Sequence, residues 1–100
     1  SIMYIIVISE EATLDVVEAL EWYKKRSSKL SERLKTEINL GFEYIRKTPF
    51  SFQLKFKDVR VYYCNSFPYG IHFIIENETI KVIAVFHTSR DPQNWQKRKS

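Results

Sequence analysis

The sequence predicts an α+β domain in which an antiparallel pair of helices packs on one face of a mainly antiparallel β-sheet. Between residues 10 and 48, apolar side chains recur with the 3.6-residue period of helices. Between residues 52 and 87, they alternate with the period of two that is typical of strands. The chain has 100 residues, which is the size of one domain. We therefore expect residues 1–100 to form a single two-layer domain.

The first predicted strand and helix lie at the start of the chain. The β-branched run Tyr4–Ile8 has the length and composition of a strand that is buried on both faces. Ser9 then offers an N-cap, and Glu10 and Glu11 place negative charge in the first helical turn. The helix is expected to end at residues 24–26. Its apolar stripe consists of Ala12, Val16, Ala19, Leu20 and Tyr23.

A second helix follows after a short polar connection. Ser28 is the predicted N-cap, and Thr48-Pro49 ends the helix because the residue before proline avoids the α region. Neither helix can leave its apolar stripe in water, so the two must pack on each other and on the sheet. The second stripe consists of Leu30, Leu34, Ile38, Leu40, Gly41, Phe42 and Ile45.

The remaining strands follow one another closely. Residues 52–57 are predicted to be a strand or an extended arm, and residues 59–63 a half-buried strand. Residues 71–75 and 80–87 form the next hairpin, and both alternating sets of the last strand are largely apolar. This last strand should therefore be central and covered on both faces. The first strand must join the sheet over the helical crossover, beside the last strand.

The end of the chain is predicted to form a short helix. Asp91 would be its N-cap with Pro92 at its first position, and Trp95 would anchor it. Residues 97–99 are three basic side chains, which are a solvated tail unless a partner orders them.

Composition limits the possible functions. The net charge is +4, and residues 44–100 hold ten basic and four acidic residues, a net charge of +6. That half is either a solvated basic face or a surface for an acidic partner. The single cysteine, Cys64, excludes an internal disulfide and fits a reducing compartment. One cysteine and two histidines do not make a zinc site, so no zinc is expected, and no other cofactor is predicted. No apolar run approaches the about 18–20 residues that a membrane span needs, and no signal peptide is recognised at residues 1–8, so we expect a cytoplasmic protein.

Several short motifs follow one another along the chain. The first helix carries the spaced pattern Ala12, Asp15, Glu18 and Trp22-Tyr23. The most specific block is C-terminal and comprises Phe67-Pro68-Tyr69, Ile80–His87, Arg90-Asp91-Pro92 and Trp95. Over nearly its whole length the chain resembles the RelE/ParE superfamily of toxins from toxin–antitoxin pairs. The C-terminal block resembles the ParE-like branch, often labelled plasmid-stabilisation proteins.

The resemblance implies two alternative activities on one fold. ParE-like toxins bind DNA gyrase and trap it on cleaved DNA, whereas RelE-like toxins cut messenger RNA in the ribosome. If the chain were such a nuclease, Arg60, His87 and Arg90 would be its catalytic residues. Tyr62 and Gly70 stand where many of these nucleases carry basic residues, a loss that His72 could partly offset. The resemblance therefore favours gyrase binding, with RNA cleavage or an inactive or differently targeted member as alternatives.

Most of these residues also have a purely structural alternative. Arg60 could pair with Asp58, with Asp91 or with a backbone carbonyl. His87 and Arg90 could simply fix the end of the last strand. Trp22 and Tyr23 would be mostly core. If the chain binds a partner, the contact residues are expected to be Tyr69, Trp95, Lys97 and Arg98. The resemblance also implies a small acidic antitoxin, and it leaves open whether the chain alone is a monomer or a homodimer.

Overall fold

The computed structural model describes residues 3–90 and residue 98. In these ranges the elements are β1 (Ile5–Ile8), α1 (Glu10–Lys24), α2 (Ser28–Lys47), a 3-10 turn (Pro49–Ser51), β2 (Leu54–Phe56), β3 (Val59–Tyr63), β4 (Tyr69–Glu76) and β5 (Thr79–His87). The predicted α+β architecture is confirmed: the two helices pack on a five-stranded sheet with the order β1-β5-β4-β3-β2. Strand β1 runs parallel to β5, and the other neighbours are antiparallel. Neither described helix is long and apolar enough to cross a membrane.

Serine side chains cap both helices at their N-termini. The Ser9 hydroxyl accepts a hydrogen bond from the amide of Ala12 at 3.0 Å, as predicted. In α2 the cap is Ser27, whose hydroxyl accepts from the amide of Leu30 at 3.2 Å. The prediction that Ser28 caps this helix was wrong by one residue. Ser27 has the extended backbone that a cap requires, whereas Ser28 is already the first helical residue.

The predicted burial of β1 was also wrong. Its strand type and its place beside β5 are confirmed, but Ile5 and Val7 are 63% and 49% exposed. The reason is position: β1 is an edge strand, and the helices cover only one face of the sheet. Residues 1 and 2 lie outside the described part of the chain, as do residues 91–97 with the predicted C-terminal helix.

The centre of the sheet is buried on both faces. Phe73 and Val82 pack with Leu34 and Ile38 of α2 in the layer between helices and sheet. A second buried cluster on the other face contains Val59, Ile74, Ile83, Ala84 and Phe86. The prediction for β5 is thus confirmed. Strand β3 is more buried than predicted, because its opposite faces join these two different clusters.

A register shift separates two parts of β5. His72 pairs with Ala84, whereas its neighbour Phe73 pairs with Val82, so Ile83 is an extra residue in β5. The shift restores Val85 to the helix-facing layer after two residues on the other face. Val85 and His87 therefore lie on the side of β5 that faces α1, which is where the candidate site lies.

Gly41 marks a close approach of α2 to the sheet. A Cβ atom at this position would lie 2.7 Å from Cε1 of Tyr62 and 2.8 Å from Cδ1 of Ile71. We expect Gly41→Ala to lower the free energy of unfolding, because overpacking costs about 1–3 kcal/mol and the gain in helix propensity returns at most about 1 kcal/mol. Urea unfolding measures this, with Thr36→Ala on the exposed side of α2 as the control. A Gly41→Ala protein more stable than the parent would contradict the close packing.

Candidate functional site

A pocket of about 300 Å³ lies between α1 and the C-terminal end of β5. Most of the sequence motifs converge there, although they are far apart in the chain. The first helix contributes its spaced motif, and β4 and β5 contribute the ends of their own motifs. The lining residues are Asp15, Glu18, Ala19, Trp22, Tyr23, Tyr69, Val85, His87 and Arg90.

The pocket exists because β1 covers only part of the edge of β5. Pairing between the two strands ends at Ile8 and Val82, and the amide of Ser9 donates the last bond, to the Val82 carbonyl at 3.1 Å. Beyond this point side chains replace the missing strand. The amide of Val85 donates to Oδ2 of Asp15 at 3.0 Å. A carboxylate on α1 therefore satisfies a backbone group that would otherwise be left open.

Asp15 also holds the only described residue beyond Arg90. Nη1 of Arg98 donates to Oδ2 of Asp15 at 2.6 Å, and Nη2 donates to Oδ1 at 3.3 Å. Nη1 also donates to the carbonyl of Ile83 at 3.2 Å. The side chains of Arg98 and Asp15 are only 16% and 7% exposed. The predicted binding residue Arg98 thus faces inward, where it forms a buried ion pair.

The sequence pattern identified Asp15 only as a member of the spaced motif in α1, without a role of its own. A usable signal was present, since Asp15 lies between Ala12 and Ala19 on the buried side of α1. A carboxylate at such a position is expected to have a partner, because burying an unpaired charge is costly. The identity of that partner, 83 residues away, could not be read from this pattern.

Aromatic rings form the other wall of the pocket. Tyr23 contacts Phe67 and Tyr69 edge-to-face, with centroid distances of 5.2 and 6.4 Å. Tyr69 contacts the ring of His87 at 5.4 Å. Trp22 is half exposed, and the guanidinium of Arg26 lies 3.5 Å from its ring centre. The prediction that Trp22 is mostly core was therefore wrong, whereas Tyr69 does lie on an accessible wall.

His87 and Arg90 lie at the same end of β5. Nδ1 of His87 accepts hydrogen bonds from the Ser89 amide at 3.1 Å and from its hydroxyl at 2.8 Å. This arrangement leaves Nε2 as the protonated nitrogen of the neutral ring. The guanidinium of Arg90 lies 4.0 Å from the ring centre of Phe86. Both residues line the pocket, so the structure brings these two predicted residues together.

Arg60 lies elsewhere. Its Nη1 donates to the carbonyl of Phe52 at 2.7 Å, which is the backbone pairing considered among the alternatives. In the sheet Arg60 is opposite Phe73, whereas His87 is opposite Tyr69. Four residues of β4 separate these two levels, about 13 Å at the usual rise of a strand. The catalytic roles of Arg60, His87 and Arg90 stay a prediction, but the three residues do not meet in one place.

Tyr62 and Gly70, where the resemblance to nucleases led us to look for basic residues, carry no positive charge. Tyr62 is buried beneath α2, and a Cβ on Gly70 would already lie 3.0 Å from Cγ1 of Val61. His72 is 6% exposed, and burial, aided by Lys55 and opposed by Asp15, lowers its pKa to about 4. It is therefore neutral at pH 7 and does not offset the missing positive charge, which the sequence had left open as a partial compensation.

Two further candidates are also limited by their surroundings. Burial, with the nearby charge of Glu37, raises the pKa of the Cys64 thiol to about 11, so it stays protonated at neutral pH. In the described ranges, 3–90 and 98, no three metal-ligating side chains lie close enough together to hold an ion. The predicted contact residues Trp95 and Lys97 lie outside these ranges.

The burial of His72 predicts a pH dependence of stability. Its pKa is about 4 in the folded chain and 6.5 when exposed, so the unfolded chain binds more protons between these values. Stability is then lost as pH falls from 6.5 to 4, by about 3 kcal/mol in total. We expect His72→Leu to lose less stability than the parent between pH 7 and pH 4.5 in urea titrations. The exposed His87→Gln is the control, and equal slopes for His72→Leu and the parent would contradict this assignment.

The helical pair on a five-stranded sheet, with a pocket built from the sequence motifs, is the architecture expected from the resemblance to toxins of toxin–antitoxin pairs. The model of the family described as "ParE toxin of type II toxin-antitoxin system, parDE" matches residues 6–92. The chain therefore belongs to the ParE toxin family. This confirms the resemblance inferred from the sequence and makes the chain a toxin of the type II class.

A solved structure shows the same fold. It is titled "Chromosomal ParDE TA system from P. aeruginosa", and it aligns with a TM-score of 0.77 over 87% of this chain and 98% of that one. The sequence identity is 12%, so the likeness concerns the fold alone. No curated protein matches the chain.

Proposed function

We propose that this ParE-family toxin acts by binding DNA gyrase and trapping it on cleaved DNA, and that it does not cut RNA. The observation that supports this proposal is that, within residues 3–90, the positions at which the resemblance to RNA-cleaving toxins places further cations carry no positive charge. Tyr62, Gly70 and His72 provide no positive charge there, and Arg60 itself bonds to the Phe52 carbonyl.

Cleavage of RNA through its 2′-hydroxyl needs more than a base. Negative charge develops on the phosphorus centre, and preorganised cations or hydrogen-bond donors must stabilise it. In this chain His87 and Arg90 lie together, but about 13 Å of strand separates their level from that of Arg60. A binding toxin needs none of these groups in one place, so their separation favours binding over chemistry.

The second partner under this proposal is an antitoxin. Membership of a toxin–antitoxin family implies one, and residues 44–100 carry a net charge of +6, which suits an acidic chain. A partly disordered segment that folds on this surface would neutralise it. Co-purification with the product of the neighbouring reading frame tests this partner. A chain that neither binds that product nor arrests growth when expressed alone would contradict it.

The proposed action on gyrase is tested with a supercoiling assay. Relaxed plasmid, gyrase and ATP are incubated with the purified chain, and cleaved DNA is released by detergent and protease. We expect inhibition of supercoiling with accumulation of linear plasmid. Tyr69→Ala should raise the half-inhibitory concentration about tenfold or more, because a central aromatic contact is lost. Tyr63→Ala, which removes an exposed tyrosine outside the pocket, is the matched control.

The ribosome arm uses the same preparation. Programmed ribosomes carrying a defined message are incubated with the chain, and the message is mapped for breaks. No cleavage is expected. Unchanged supercoiling at stoichiometric excess, together with message cleavage that His87→Ala abolishes, would replace the proposal with the RNA-cleaving alternative.

A further inference from the structure

The guanidinium of Arg98 is surrounded by groups that suit a planar cation. The Asp15 carboxylate meets it through both oxygens, at 2.6 and 3.3 Å. The Ile83 carbonyl accepts a further bond at 3.2 Å, and the ring centre of Phe86 lies 4.9 Å from Cζ. A bidentate carboxylate, a second acceptor and an aromatic ring together favour arginine over lysine, which presents a compact ammonium without a flat fork of donors.

These surrounding groups are held independently of Arg98. Asp15 is fixed by its place on the buried side of α1 and by the bond of 3.0 Å from the Val85 amide. Ile83 and Phe86 belong to β5, and both side chains lie in the second buried cluster. The receptor is therefore preorganised, which lowers the entropic cost of binding a side chain there.

The Asp15 side chain also lines the pocket of about 300 Å³. Glu18 adds a second negative charge to the lining, and Trp22 and Tyr69 add aromatic faces on which a cation can lie. Arg90 is the opposing charge, but its guanidinium lies on Phe86, at 4.0 Å. If Arg98 leaves, two carboxylates face one guanidinium, and the pocket has room and charge for an incoming cation.

We propose that Asp15, the Ile83 carbonyl and Phe86 form a guanidinium-binding site, which Arg98 fills in the free chain and an arginine side chain of a protein partner fills in a complex. The proposal does not depend on gyrase being the target. Arg98 acts as an internal competitor, so the apparent affinity for an outside arginine is reduced by the fraction of time for which the site is free.

The test is a binding titration followed by NMR. N-acetyl-L-arginine amide is added to the Arg98→Ala chain, and the Val85 amide resonance reports on the carboxylate that it donates to. We expect a saturable shift in Arg98→Ala, and an apparent affinity about tenfold or more lower in the parent, since Arg98 filling the site nine-tenths of the time costs that factor. N-acetyl-L-lysine amide should bind at least about tenfold more weakly than the arginine probe. Arg46→Ala, at a surface ion pair with Glu43, should behave like the parent.

The displacement of Arg98 by the arginine probe is tested in the parent chain. As the arginine probe saturates, the side-chain Nε–H resonance of Arg98 should move to the position of a solvated arginine. Asp15→Asn in the Arg98→Ala background should abolish probe binding. Glu18→Gln in the same background should weaken probe binding without affecting the fold, and it gives the answer should the Asp15→Asn variant unfold. Equal binding of both probes, equal affinity in the parent and Arg98→Ala, or an Arg98 resonance that does not move at saturation would each overturn the proposal.

Discussion

Replacing Asp15 by alanine is expected to lower the free energy of unfolding by about 3–5 kcal/mol, the loss typical of breaking a buried ion pair on one side. The substitution leaves the Arg98 guanidinium without its carboxylate and the Val85 amide without its acceptor. Both groups are at least partly shielded from water, so solvent replaces the lost bonds poorly. Urea unfolding followed by circular dichroism gives the value directly.

Two controls make this expectation specific to the buried pair. Glu18→Ala removes an exposed carboxylate from the same helix and the same pocket, and it should change stability by no more than about 0.5 kcal/mol. Arg98→Ala and the double variant complete a thermodynamic cycle, in which the two losses should not add because the residues share one interaction. Additive losses, or an Asp15→Ala protein as stable as Glu18→Ala, would show that the pair contributes little.

Replacing Leu34 by alanine is the second large expected effect, at about 2–5 kcal/mol. Leu34 is fully buried on α2 and packs with the helix-facing side chains of the sheet. Its truncation removes apolar contacts and leaves a cavity that rigid neighbours in β4 and β5 cannot close. Leu40→Ala on the same helix is the matched control, because Leu40 is 47% exposed. Unfolding midpoints of the two variants that coincide would contradict the assignment of Leu34 to the core.

Local patterns in the sequence account for most of the fold. The apolar stripes of α1 and α2 predict two helices, and the alternation after Pro49 predicts strands, because these periods follow from backbone geometry alone. A long helical crossover lets β1 run parallel to a neighbouring strand, and its predicted place beside β5 is confirmed. Two predictions failed. Ser27 rather than Ser28 caps α2, and Ile5 is exposed because β1 is an edge strand and the helices cover only one face of the sheet.

In the candidate site, the sequence identified individual residues, but only the structure shows which of them lie together. The motif residues Tyr69, His87 and Arg90 were identified from the sequence, and they do line one pocket. Grouping them with Arg60 was a prediction about distances, and the sheet register separates Arg60 from the others. The inward orientation of Arg98 had no local signal, since three basic residues in a row are usually solvated.

The sequence by itself determined the helices, the strands, their order and the family, because each depends on short-range periodicity, caps and motifs within one segment. Only the tertiary structure decided that β1 ends before β5 does, that Asp15 occupies the edge left open, and that Arg98 reaches it from 83 residues away. The physical reason is that burial and pairing belong to the assembled layers. A carboxylate in an apolar helix face requires a partner, but which cation meets it depends on the three-dimensional path of the whole chain.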